Sequence, residues 1–204
     1  MFKCHICEEA KRRLPRPVTT GRLDEPGAHV GIDGFEWIHP VNRIHCRAIL
    51  IGDHASRHCV VSVGKETNIK QNLGNFTGAD VVNILQKEWI RHYGKMVTLQ
   101  FDPEGCFREE PHFKTWLSSS DLNTDLLPGE ASWKLGTINK LIDTMKTMAT
   151  KIAKRVPSET TAQEIFDMAT IAHGDLSRRH GFSPLELMIG RTPTGVGAEQ
   201  NKST

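Results

Sequence analysis

Apolar and polar residues alternate over the first strongly patterned part of the chain, as is typical of β-strands. Three such runs cover 29–38, 43–51 and 58–63, and turn residues such as Asn42, Gly52 and Asp53 separate them. Because the connections are short, consecutive strands can pair only as hairpins. The pattern therefore predicts an antiparallel meander of three strands.

After Thr77, a residue suited to a helix N-cap, the apolar residues no longer recur at every second position. They recur at every third or fourth position instead. Val81, Leu85 and Trp89 then recur at helical spacing up to Gly94. Shorter patterns follow, and they predict a strand over 96–101, a helix over 110–117 and a strand over 122–127.

Two amphipathic patterns dominate the last third of the chain. The first predicts a helix over about 131–155, and the second predicts a helix that residues 157–159 cap. The apolar stripe expected to pack the second helix against the core contains Ile165, Met168, Ala169, Ala172 and Leu176. A short final helix begins with Ser183 as N-cap and Pro184 at its first position. Strands early and helices late predict a mixed α/β fold.

Length and composition limit the class of protein. The 204 residues suit one domain, and no apolar run approaches the roughly 18 residues that a membrane span needs. No signal peptide is visible, and five cysteines without a regular spacing indicate a reduced, intracellular protein. We divide the chain into a basic lead-in (1–27), a core domain (28–193) and a disordered tail (194–204).

The near-zero net charge of +2 conceals segregated charge. Residues 101–130 hold seven acidic side chains against two basic ones, whereas residues 134–155 hold six basic side chains against one acidic. An acidic block followed by a basic helix is compatible with DNA binding. The lysines that could contact phosphates are Lys134, Lys140, Lys146 and Lys151, and a solvated helix face is the alternative interpretation of them.

Two aspartates are candidates for metal chemistry. Asp33 lies within the first strand among Ile32, Phe35 and Trp37, and Asp102 ends the fourth strand. A carboxylate on an apolar strand is costly to bury unless it is paired or binds a metal ion. Two carboxylates with a third from a helix can hold Mg²⁺ or Mn²⁺. From spacing alone, both could instead be ordinary strand-end or turn residues.

Six stretches in order resemble the catalytic core of integrases from long-terminal-repeat retrotransposons and retroviruses. They are Val30–Trp37, Ile51–Arg57, Trp89–Gly94, Phe101–Phe107, Pro128–Gly136 and Gly181–Pro193. The resemblance implies an RNase H-like three-layer fold with a mixed five-stranded sheet. It also implies strand transfer of element DNA by an Asp-Asp-Glu triad with Mg²⁺ or Mn²⁺, in a homo-oligomer that acts in the nucleus.

By this resemblance Asp33 and Asp102 match the first two acidic residues and act as metal ligands. The third acidic position, 37 residues after Asp102, holds Asn139, which offers a neutral oxygen without a charge. Glu130 and Asp143 are possible substitutes. We therefore expect impaired catalysis, and the alternative is a non-catalytic DNA- or protein-binding module that decayed or was domesticated from an integrase.

The N-terminal Cys4 and Cys7 resemble the remnant of the zinc-binding module that precedes such cores. Two thiolates cannot close a tetrahedral zinc site, so zinc is not expected. His54, His58 and Cys59 also suggest a zinc cluster, but they lack a second ligand pair and are expected to be structural.

Overall fold

A five-stranded mixed sheet organises the chain in the computed structural model, which describes residues 25–68, 73–102, 111–126, 136–178 and 181–190. Its strands are β1 (His29–Ile38), β2 (His45–Asp53), β3 (Cys59–Thr67), β4 (Thr98–Phe101) and β5 (Asn123–Leu126), in the order β3-β2-β1-β4-β5. The first three strands pair antiparallel, and β4 is parallel to both β1 and β5. The predicted mixed sheet with an antiparallel meander is confirmed.

The helices of the described residues follow the predicted order. They are α1 (Gly78–Ile84), α2 (Arg91–Tyr93), α3 (Pro111–Ser119), α4 (Gly136–Ala153), α5 (Ala162–Leu176) and α6 (Pro184–Ile189). The pattern after Thr77 predicts one regular helix, but a π-helical segment, Leu85–Ile90, joins α1 to α2 and buries Leu85 and Trp89. Within the described ranges, no helix has the length and apolar character needed to cross a membrane.

Alternation along β1 divides the core into two apolar layers. Phe35 and Trp37 face one side of the sheet, where they pack with α4 and α5. Val30 and Ile32 face the other side, where they pack with α1, the π-helical segment and α3. The result is the three-layer arrangement that the sequence predicts, with helices covering both faces of the sheet.

The predicted stripe of α5 is correct at Ile165 and Ala169 but wrong at Met168 and Leu176, whose exposures are 40% and 65%. The helix is rotated because Phe166, outside that stripe, inserts into the core. The start is also displaced, since Thr161 rather than residues 157–159 caps the helix in a reciprocal pair with Glu164.

Two predicted segments fall outside the described residues. The basic lead-in is described only from residue 25, so its zinc-module remnant with Cys4 and Cys7 is not covered. The tail at 194–204 and the first residues of the long predicted helix, 131–135, are likewise outside. These assignments remain predictions.

Candidate functional site

The two candidate aspartates follow equivalent positions of neighbouring parallel strands. Gly31 pairs with Gln100 and Ile32 with Phe101, so Asp33 and Asp102 occupy the next position on β1 and β4. Residues at matching register positions of paired parallel strands are neighbours, so Asp33 and Asp102 lie side by side although 69 positions separate them in the chain. This pair of aspartates forms the centre of the candidate site.

Helix α4 lies directly on the backbone of β1 and β2 next to these aspartates. A Cβ atom added to Gly31 would be 2.5 Å from Ile138 Cγ1, and one added to Gly52 would be 2.8 Å from Leu141 Cδ1. The two glycines are paired across the strands. A side chain at either glycine would displace Ile138 or Leu141, so the two glycines allow α4 to pack closely on the strands beside Asp33.

One edge of α4 runs along β1 in the same direction as the strand. Ile138 covers Gly31, the ammonium nitrogen of Lys146 lies 5.3 Å from the ring centroid of Phe35, and Trp37 Nε1 donates a hydrogen bond of 3.1 Å to Thr150. Residues spaced by three or four share a helix face. The edge with Lys146 and Thr150 therefore also carries Asn139 and Asp143, both of which are exposed.

The electrostatics of Asp33 identify the charged groups around it. Burial raises the pKa of Asp33, and the nearby Asp102 carboxylate raises it further. The backbone N–H of Gly34, which donates to Asp33 Oδ1 at 2.7 Å, and the ammonium group of Lys146 both lower this pKa. Asp33 thus has one like-charged neighbour on β4 and one cationic neighbour on α4.

The donor set matches one divalent ion better than two. Two adjacent carboxylates repel each other, and a Mg²⁺ ion, which commonly takes one or two carboxylates plus water and phosphate oxygens, would relieve that repulsion. Among the residues that the structure describes, no three His, Cys, Asp or Glu side chains form a group that could hold a metal ion. Glu130 lies outside those residues.

The candidate DNA-binding lysines separate into two sets. Lys140 and Lys151 are exposed on the outer face of α4, whereas Lys146 is half-buried on the edge that faces β1. Lys134 lies outside the described residues. From the sequence the four lysines are equivalent candidates. The signal that distinguishes Lys146 is its distance of seven positions from Asn139, which places both residues on one helix face.

A second polar cluster lies around His58, away from the aspartates. His58 Nε2 and Tyr93 Oη are 2.7 Å apart, and the His58 ring is close to Trp89. His173 Nε2 is 3.1 Å from the carbonyl oxygen of Arg57, and its Nδ1 is 3.0 Å from Ser177 Oγ. These contacts join β3, α2 and α5, which supports the structural role predicted for His58.

This cluster predicts loss of stability in mild acid. Burial, with a smaller contribution from His173, lowers the pKa of His58 to about 4. The unfolded chain, with a histidine pKa near 6.5, therefore binds more protons, and stability present above about pH 6.5 is lost as the pH falls towards 4. The loss attributable to His58 is about 3 kcal/mol. Urea unfolding at pH 7.5 and 4.5 measures it.

The matched variant for this prediction is His58→Gln. We expect it to flatten the pH dependence of the unfolding free energy relative to the parent chain, because glutamine does not titrate. The same slope in both proteins would contradict the assignment to His58.

Comparison with known proteins places this fold among integrase cores. No family model and no curated protein matches the sequence. The HTLV-2 integrase catalytic core domain, solved in complex with magnesium in dimeric form, is 12% identical with a TM-score of 0.65, covering 82% of this chain and 99% of that one. The BIV integrase catalytic core gives 12% and 0.62, over 80% and 95% of the two chains.

A larger assembly is also similar. The simian T-cell lymphotropic virus intasome, in complex with PP2A regulatory subunit B56 gamma, gives a TM-score of 0.69 at 14% identity. The similarity covers 94% of this chain and 64% of that one. At these identities the comparisons establish the fold, which is that of a retroviral integrase catalytic core.

Proposed function

We propose that this chain is a retroelement-derived integrase core that binds DNA and joins DNA ends in a reaction dependent on Mg²⁺ or Mn²⁺. The observation that carries the proposal is that Asp33 and Asp102 follow directly on the paired residues Ile32 and Phe101 of β1 and β4, within a fold shared with integrase cores. The similar HTLV-2 core was solved with magnesium, which supports the choice of metal.

In this proposal the carboxylates of Asp33 and Asp102 would hold the divalent ion. A bound Mg²⁺ or Mn²⁺ would supply Lewis-acid chemistry for the phosphodiester and for the attacking hydroxyl. Asn139 occupies the third acidic position on the α4 edge, where its amide oxygen offers a dipole in place of a full charge. The reaction is therefore slow in the parent chain.

The DNA contacts proposed for this site come from α4. Lys140 and Lys151 present ammonium groups to solvent on its outer face, where phosphates can reach them. Phosphate contacts of this kind position DNA without reading its sequence. Nuclear action follows from the proposed substrate.

Strand-transfer and nicking assays with Mn²⁺ test the proposal, using the parent chain and Asp102→Ala. We expect slow joining by the parent, dependent on the divalent ion, and none by Asp102→Ala because one of two metal ligands is lost. DNA binding by both proteins should be equal, since Asp102 makes no proposed phosphate contact. Equal joining by the two proteins would contradict the assignment of Asp102.

A second candidate function is a non-catalytic DNA- or protein-binding module. The occupation of the third acidic position by Asn139 favours it, because neutral amides are weaker ligands for hard cations than carboxylates. The same assays separate the two: DNA binding without any joining, in Mn²⁺ or Mg²⁺, indicates the module.

We also propose that the chain forms homo-oligomers. Met168, Ile171 and Leu176 of α5 are 40%, 64% and 65% exposed, which leaves an apolar surface on that helix. Similar integrase cores were solved in dimeric and trimeric forms. Light scattering at high concentration, on the parent chain and its Ile171→Glu variant, tests this proposal. It would be contradicted if both proteins were monomeric.

A further inference from the structure

Lys146, the cationic neighbour of Asp33, has no role in the proposed function as described so far. Lys146 differs from the other lysines of α4 because it is half-buried and its ammonium nitrogen lies 5.3 Å from the ring centroid of Phe35. Phe35 and Asp33 are two residues apart on β1 and thus face the same side of the sheet. Lys146 is therefore held over the strand that carries Asp33.

Two contacts of α4 restrict where this ammonium group can go. Below it along the helix, Ile138 is seated on Gly31, and above it Thr150 accepts the hydrogen bond from Trp37. The backbone of α4 is thus anchored to β1 on both sides of Lys146. The Lys146 ammonium group lies over the Phe35 ring, an arrangement that favours a cation.

We propose that Lys146 is a built-in cation of this site, which neutralises part of the charge of the Asp33–Asp102 pair and competes with a divalent ion for Asp33. The inference rests on the proposed function and adds a property of the site to it. Lys146 acts as a positioning residue, because it acts through Asp33 rather than on the reacting atoms.

The competition follows from charge. A divalent ion bound between Asp33 and Asp102 would experience repulsion from an ammonium group beside Asp33, and a half-buried position screens that repulsion less than bulk water does. With Asn139 in place of a third carboxylate, Asp33 and Asp102 provide two negative charges and Lys146 one positive charge, while the exposed Asp143 lies on the same edge of α4. That balance suits one weakly held divalent ion and disfavours a second.

Titration of the full chain with Mn²⁺ alone, followed by electron paramagnetic resonance and calorimetry, tests the inference. We expect one Mn²⁺ per chain in the parent, and binding tighter on the order of tenfold in Lys146→Met, because the methionine keeps apolar contact with Phe35 but removes the charge. Lys146→Arg should stay near the parent affinity, since the charge is retained. Asp102→Ala should abolish binding in every background.

Lys95→Met is the matched control for loss of one positive charge. Lys95 is exposed and precedes β4, whereas Asp102 follows it, so the strand separates the two residues. Its Mn²⁺ affinity should equal that of the parent. Equal affinities in the parent and Lys146→Met would overturn the inference and leave the proposed function intact. No Mn²⁺ binding by any variant would instead overturn the metal-dependent function itself.

Discussion

The substitution Asn139→Glu is expected to accelerate Mn²⁺-dependent strand transfer on the order of 10²-fold over the parent chain. It adds a carboxylate to the edge of α4 that also carries Lys146, whose ammonium group lies near Asp33. Ligand charge governs how strongly a hard cation binds, and stabilisation of a phosphoryl transition state by a metal ion amounts to several kcal/mol. Single-turnover joining rates at saturating DNA measure the gain.

Asn139→Gln is the matched control for this gain. It has the length of glutamate and keeps the neutral amide, so its joining rate should remain at the parent level. Asp102→Ala in the Asn139→Glu background should return the rate to zero. A fast parent chain, inactivated by Asp143→Ala or Glu130→Ala, would show that another carboxylate serves as the third ligand and would contradict the role given to position 139.

The substitution Phe166→Ala is expected to lower the free energy of unfolding by about 3–5 kcal/mol, a large part of the stability of an ordinary domain. The Phe166 side chain is fully buried, and its ring meets Phe35 and Trp37 edge-on at centroid distances of 5.5 and 5.2 Å. Truncation leaves a cavity between α5 and β1. Urea denaturation followed by circular dichroism measures the change.

Phe182→Ala serves as the exposed counterpart. Phe182 is 57% exposed, so its truncation should change the unfolding free energy by no more than about 0.5 kcal/mol. A similar small effect for Phe166→Ala would mean that α5 does not depend on this ring. Because Trp37 also donates a hydrogen bond to Thr150 of α4, we expect Phe166→Ala to lower the rate of DNA joining as well.

Local patterns account for much of the fold. Alternation along β1 predicts its two buried faces, and the capping sequence at Ser183 and Pro184 predicts the start of α6, where Ser183 accepts from Glu186 N. The orientation of α5, in contrast, is not predicted by a local pattern. Its apolar residues occur all around the helix, so Met168 and Phe166 compete for the core, and only the aromatic surfaces of β1 decide between them.

The candidate site shows the same division. Asp33 and Asp102 are candidates from the sequence because each carboxylate lies on or after an apolar strand, and the resemblance to integrase cores distinguishes them from ordinary turn residues. Their adjacency depends on the pairing of β1 with β4, a long-range choice that no local pattern specifies. The position of Lys146 depends on how α4 is rotated relative to Asp33. That rotation follows from the packing of Ile138 and Leu141 on Gly31 and Gly52.

The hydrogen bond between Trp37 and Thr150 joins residues 113 positions apart in the chain. The strands β1 to β3 pair with near neighbours and can assemble as soon as they leave the ribosome, whereas α4 is synthesised long afterwards. A nascent chain therefore carries both aspartates before it carries the helix that completes their surroundings. The proposed chemistry on DNA therefore requires that α4 has been synthesised and has packed on the sheet.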